Sequence, residues 1–214
     1  MTRLAIPLFP GFMPLDFVGP YDVLRFLPDT EVVFVATEPG PVRGADGGFA
    51  LEAQATPEDI TTCDILLVPG GRGTRDYAAR KPLTDWIARI HETTTWTTSV
   101  CTGSLLLGAA GILTGLDATT HWNAIPELEA FGAHYTPDRV VRRGKVVTAA
   151  GVSSGIDMAL TLAGLIEGDE FAKAVQLWIE YDPQPPYDTG SVAKAGAELV
   201  ARTPGLIAGG ARRG

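Results

Sequence analysis

Apolar and polar positions divide this chain into short runs that alternate between strand-like and helix-like periods. Leu4 to Phe9 is an apolar stretch closed by Pro10-Gly11, the pattern of a buried strand ending in a turn. Pro14 to Leu27 carries Leu15, Val18, Val23, Leu24 and Leu27 on one stripe and predicts a helix, interrupted at Gly19-Pro20. Glu31 to Ala36 (EVVFVA) predicts a second strand. After the turn-rich stretch Glu38 to Gly48, a short strand is expected around Phe49 to Ala53. Asp64 to Val68 (DILLV) runs into Pro69-Gly70-Gly71, which suits a central strand of a parallel sheet. Leu83, Trp86, Ile87 and Ile90 then sit at helical spacing within Pro82 to His91.

Trp96 to Val100 is strand-like, and Cys101 follows at once. Thr102-Gly103-Ser104 leads into LLLGAAGIL, which predicts a buried helix. Val140-Val141 and Val146-Val147 flank Arg142 to Lys145 as a hairpin turning at Gly144, and Gly155 to Leu165 and Glu170 to Tyr181 predict two more helices. Strands alternating with helices over one span, without repeat or linker, predict one α/β sandwich over 1–181 with a mostly parallel sheet. The Pro- and Gly-rich 182–214 is expected to be an irregular extension, disordered from Gly209 to Gly214. Ligands of such sheets bind beyond the carboxyl ends of the strands. That rule selects the loops Pro10 to Asp16, Pro69 to Arg72 and Cys101 to Ser104.

Composition narrows the function. In 214 residues, 45% are hydrophobic, which suits a folded core, and 25 Gly with 16 Pro suit many tight turns. A net charge of −8 without a basic stripe argues against a nucleic-acid partner. Two cysteines, Cys63 and Cys101, make no disulfide framework, and no CxxC, HExxH or HxH spacing marks a metal. Leu4 to Pro20 imitates a signal peptide, but Pro7, Pro10, Pro14 and Asp16 interrupt it and no cleavage site follows. Val100 to Leu113 is too short to span a membrane. A soluble cytoplasmic protein is expected.

The strand–Cys101–Thr102–Gly103–Ser104–helix context is that of a nucleophile elbow, where a sharp turn projects the side chain clear of the sheet edge. A helix N-terminus there is expected to favour thiolate over thiol. Cys63 precedes its strand, at the opposite edge, and reads as structural. Asp16 (PLDFVGP) lies at the same edge as Cys101 among apolar neighbours, where burial and a nearby thiolate would raise its pKa and fit it to move a proton. Backbone N–H groups of Gly70-Gly71, with that of Thr102, could form an anion hole. His121 reads equally as the partner of a Cys–His dyad or as a hydrogen-bonded pocket residue. His91 and His134 read as structural.

These motifs are similar to those of the ThiJ/PfpI family of class I glutamine-amidotransferase-like proteins, over nearly the whole chain, and within it to the isonitrile (isocyanide) hydratases. The resemblance lies in PLDFVGPYDVL, DILLVPGG, SVCTGSLLLGAAGILTG, ATTHW, GVSSGIDMALTLA and VQLWIEYDPQPPYDTGS. It implies a flavodoxin-like three-layer sandwich, a homodimer, and no cofactor. It further implies a nucleophilic Cys101 partnered by Asp16, with Thr102 beside the sulfur and Gly71 and Thr102 N–H groups in the anion hole. The loop Ala150 to Ser154 would wall the pocket, with Gly70, His121, Trp122, Ala150 and Val152 lining it. Protease-like branches carry His directly after the nucleophile, where this chain has Thr102. The shorter acid Asp16, in place of Glu, leans away from glyoxalase-like members. The implied substrate is a small hydrophobic isonitrile, for which Phe12, Phe17, Trp122 and Val152 are apolar candidates.

Two other functions share these motifs: a glyoxalase III-like hydration of dicarbonyls, and a ligand- or redox-sensing domain like the N-terminal half of AraC-type regulators. The roughly thirty Pro/Gly-rich residues after the last predicted helix leave little room for a DNA-binding unit of typical size, so the hydratase is expected.

Overall fold

The structure, a computed structural model, describes residues 1–210. The chain forms two units, Met1–Glu180 and a second beginning at Tyr181. In the first, the apolar runs become strands: β1 (Thr2–Pro7), then helix α1 (Pro14–Leu24), β2 (Thr30–Val35), β3 (Gly40–Arg43), β4 (Ala50–Ala53) and β5 (Ile65–Val68). Helices α2 (Thr74–Ala78) and α3 (Lys81–Thr93) lead to β6 (Trp96–Val100) and α4 (Gly103–Ala109). There follow β7 (Asp117–Ala118), a 3-10 turn at Trp122–Ala124, α5 (Ile125–Ala130) and β8 (His134–Tyr135). The hairpin β9 (Val140–Arg143) and β10 (Val146–Ala149) precedes α6 (Ser154–Glu167) and α7 (Asp169–Trp178). The second unit contains α8 (Val192–Gly210).

Six strands form the main sheet in the order β2-β1-β5-β6-β10-β9. All neighbours are parallel except the hairpin β10–β9. Its five parallel strands follow the flavodoxin-like 2-1-3-4-5 order. The chain crosses from β1 to β2 in one direction and from β5 to β6 in the other. Right-handed crossovers therefore put α1 and α3 on opposite faces. Helices α1, α6 and α7 pack together, and α2, α3 and α4 pack together, giving three layers. The core strand β5 is buried at every residue (Ile65, Leu66, Leu67, Val68), as a strand covered on both faces must be. Trp86 anchors α3 in the core and donates its indole N–H to the Ile60 carbonyl at 2.9 Å.

Several expectations are corrected. Gly19-Pro20 does not interrupt α1, although Pro20 removes the N–H that would have bonded the Asp16 carbonyl. The pair is where α1 meets α6: a Cβ on Gly19 would lie 2.7 Å from Ile156 Cγ1, and one on Gly155 would lie 2.9 Å from Pro20 Cγ. The close packing accompanies a helix that continues through its proline. The turn-rich 38–48 contains β3, paired with β4. Of the extension expected to be irregular, 182–191 is so, and Val192–Gly210 forms α8, broken at Gly196, whose φ of 75° is left-handed. Its helical residues outweigh the Pro and Gly that suggested a coil. Of the end expected to be disordered, Gly209 and Gly210 close this helix and 211–214 lie outside the described residues. Among the described residues no helix is long and apolar enough to cross a membrane.

Candidate active site

The carboxyl ends of β1, β5 and β6 bring Asp16, Gly70 and Cys101 to one edge of the sheet. Pro14 opens α1 with its φ preset for a helix, which places Asp16 in the first turn, completely buried. Its Oδ2 accepts the Gly70 N–H at 2.8 Å, and its Oδ1 has no hydrogen-bond partner. Burial raises the carboxyl's pKa well above the usual value. The Gly70 N–H and the nearby Cys101 side chain pull the other way. The thiol acts on this carboxyl without completing a hydrogen bond of ordinary geometry to Oδ1.

Cys101 has the left-handed φ of 58° expected of an elbow. Such a φ is unfavourable for a residue with a Cβ, and neighbouring groups hold it in place. The Cys101 N–H donates to the carbonyls of Ala149 (3.1 Å) and Ala150 (3.0 Å). Its own carbonyl accepts from Ser104 Oγ and Thr120 Oγ1, both at 3.2 Å. Only main chain fits around this turn. A Cβ on Gly103 would lie 2.2 Å from the Val68 carbonyl oxygen. One on Gly70 would lie 2.6 Å from Thr102 N and 2.8 Å from Asp16 Oδ2.

The expected resting thiolate is corrected. Burial, with the Asp16 charge acting in the same direction, pushes the Cys101 thiol up to about 12. The backbone N–H groups of Thr102 and Val152 and the Thr102 hydroxyl oppose this, and they are outweighed. Helix α4 has only seven residues and does not overcome the loss of solvent. Two buried acids face one another: the Asp16 charge helps to keep the thiol protonated, whereas the carboxyl keeps its proton because of burial, against the pull of the Cys101 side chain. Cys63 is also pushed to about 12, chiefly by burial. The two cysteines thus differ in setting, and acidity does not separate them.

The anion hole also differs from expectation. The Gly71 N–H is already donated to Thr102 Oγ1 at 2.9 Å, and that hydroxyl lies 3.2 Å from the Gly71 carbonyl. Gly71 therefore fixes Thr102, and the Val152 N–H takes the place assigned to Gly71 beside the sulfur. Gly70 is a close-packed spacer. Phe12 and Phe17 are core residues, 0% and 2% exposed, with rings 5.5 Å apart edge to face, and do not line a pocket.

His121, Trp122, Ala150 and Val152 are half-buried. His121 Nδ1 pairs with Asn123 Oδ1 at 2.7 Å, and no contact links the ring to the sulfur, so the Cys–His dyad is not formed. Sequence reasoning missed Val152 as a donor and Ser104 and Thr120 as clamps on the elbow. ATTHW and CTGS contained the two hydroxyls, but a backbone N–H has no side-chain signature. Among the described residues no three His, Cys, Asp or Glu side chains gather as a metal site.

A doubly wound sheet with a cysteine elbow opposite a buried acid defines the class, and comparison with known proteins agrees. The chain belongs to the DJ-1/PfpI family, whose profile matches residues 2–165. It is 44% identical to an isonitrile hydratase of Pseudomonas putida over 198 residues, covering 92% of this chain and 86% of that one. A ThiJ/PfpI family protein from Pseudomonas syringae superposes with a TM-score of 0.91 at 35% identity, over 99% of this chain and 88% of the other. An HTH-type transcriptional regulator, CdhR of Pseudomonas aeruginosa, is 29% identical over 78% of this chain and 52% of its own length.

Proposed function

We propose that the protein is an isonitrile hydratase that adds water to an organic isocyanide and releases an N-substituted formamide. The observation that carries the reading is the buried Asp16–Cys101 pair, with Asp16 Oδ1 unpartnered. The 44% identity to an isonitrile hydratase supports it.

A neutral pair suits this substrate, whose terminal carbon must gain both a proton and a nucleophile. The raised pKa of Asp16 keeps a proton available, and that proton passes to the isonitrile carbon. The carbon becomes electron-poor and bonds to the Cys101 sulfur, while the thiol proton moves to the Asp16 carboxylate. The product is a thioimidate, with the substrate nitrogen doubly bonded to carbon. Water then adds to that carbon as the Asp16 carboxyl gives its proton to the nitrogen and takes one from the water. The tetrahedral species collapses by breaking its C–S bond, its hydroxyl proton passing to the departing sulfur as the C=O bond forms, and the formamide leaves. The N–H groups of Thr102 and Val152 and the Thr102 hydroxyl stabilise the sulfur whenever it carries negative charge. The scheme uses protein groups and water alone. The same reading takes the protein to be a cytoplasmic homodimer.

The test is formamide production from cyclohexyl isonitrile by purified protein, followed by chromatography. Wild type is expected to form N-cyclohexylformamide, and Cys101→Ala none. Turnover of methylglyoxal with the isonitrile left untouched would overturn the proposal.

A further inference from the structure

His121 does not touch the sulfur, yet its ring lies against the loop that does. The loop leaves β10 through Ala150, whose carbonyl accepts the Cys101 N–H at 3.0 Å, and continues as Gly151, Val152 and Ser153 into α6. Val152 has a φ of 27°, an uncommon conformation for a β-branched residue. Such a conformation persists only where neighbouring structure enforces it. In this conformation the Val152 N–H serves the Cys101 sulfur.

On the helix side, the Gly151 carbonyl accepts the N–H of Ser154 at 3.2 Å and its hydroxyl at 3.2 Å. On the other side stands His121. A Cβ built on Gly151 would lie 2.7 Å from His121 Cδ2 and 3.4 Å from Nε2, so the ring edge occupies the space a side chain at 151 would take. The ring is fixed in turn. Its Nδ1 pairs with Asn123 Oδ1 at 2.7 Å, its carbonyl accepts the Ala124 N–H at 2.9 Å, and it stacks at a tilt on Trp122, centroids 5.5 Å apart. Burial lowers its pKa against the opposing Asn123 hydrogen bond, the Arg75 charge adding to the effect, and this favours the uncharged ring.

We propose that His121 is a positioning residue: braced on Gly151, its ring holds the Val152 N–H against the Cys101 sulfur. The inference rests on the reading of Cys101 as the nucleophile. Glycine at 151 is then a fitted contact, and a larger residue there must displace either the ring or the loop.

The test uses the full chain with Gly151→Ala, His121→Ala and the double variant, each followed by three readouts. These are the rate of Cys101 alkylation by iodoacetamide from pH 7 to 9.5, thermal melting, and formamide production. Gly151→Ala is expected to slow alkylation about tenfold at fixed pH, equivalent to the pKa rising by about one unit as a donor is lost. His121→Ala is expected to slow it about threefold, because the loop relaxes. The double variant is expected to alkylate faster than Gly151→Ala, since the methyl fills the space the ring vacated. A merely structural role would move the melting temperatures and leave alkylation alone. Wild-type alkylation in Gly151→Ala, or no rescue in the double variant, would overturn the proposal. Should Gly151→Ala fail to fold, unchanged alkylation in His121→Ala overturns it. Because alkylation needs no isonitrile, a wild type that makes no formamide refutes the proposed function and leaves this test standing.

Discussion

Asp16→Asn separates the stability of the site from its chemistry. In the folded chain the carboxyl is completely buried, one oxygen is bonded to Gly70 N–H and the other to nothing, and burial raises its pKa. In an unfolded chain an Asp loses its proton near pH 3.9. Between that pH and the raised folded value, the native state binds a proton that the unfolded state does not. Stability therefore falls as pH rises through this window. The contribution is fully present below the unfolded pKa and is lost toward the folded one, at about 1.4 kcal/mol per pH unit. Asn does not titrate and keeps an oxygen for the Gly70 N–H. As pH rises to 8 the variant is predicted to gain stability over wild type by about 1.4 kcal/mol for each pH unit spent inside that window. For a chain of this size, each kcal/mol raises the melting midpoint by about 2–4 °C. Formamide production is predicted to fall by about 10²-fold or more, as for loss of a general acid. Urea unfolding of both proteins at pH 5, 6.5 and 8 supplies the check. The stability difference should widen with pH, and parallel pH profiles would refute the assignment of a raised pKa to Asp16.

Cys101→Ala should abolish formamide production while Cys63→Ala, which removes a buried thiol distant from the elbow, stays close to wild type in the same assay. Gly70→Ala places a methyl within 2.6 Å of Thr102 N and 2.7 Å of Thr102 Oγ1. Activity should fall about 10²-fold from misplacement alone, and a normal kcat/KM would contradict the close packing. Gly19→Ala meets Ile156 Cγ1 at 2.7 Å and should cost about 1–3 kcal/mol in denaturant unfolding. Adding Ile156→Ala should relieve the clash, and a Gly19→Ala protein as stable as wild type would argue against the tight α1–α6 crossing.

The sheet was legible where apolar runs meet strong punctuation. DILLV before Pro69-Gly70 and WTTSV before Cys101 give β5 and β6 nearly to the residue. Helix α2, at five residues, is too short to show a period. Helix α4 ends at Ala109, before the left-handed Gly111, although LLLGAAGIL is apolar well beyond it. In the site, Cys101, Asp16 and Gly70 could be read because sheet topology alone sends them to one edge. The Val152 donor could not: its role follows from a backbone angle that valine rarely adopts. The thiolate expectation failed because a sequence shows which charges lie nearby but not how much water has been excluded.

Because the ground beneath Cys101 is built from Gly70, Gly71 and Gly103, mutation has almost nothing to reshape there: every substitution adds atoms where backbone already stands. On the proposed function, divergence in substrate choice is expected instead at the half-buried Trp122, Ala150 and their neighbours. A directed-evolution library confined to those few positions would sample the protein's adaptable part while leaving its reactive centre untouched.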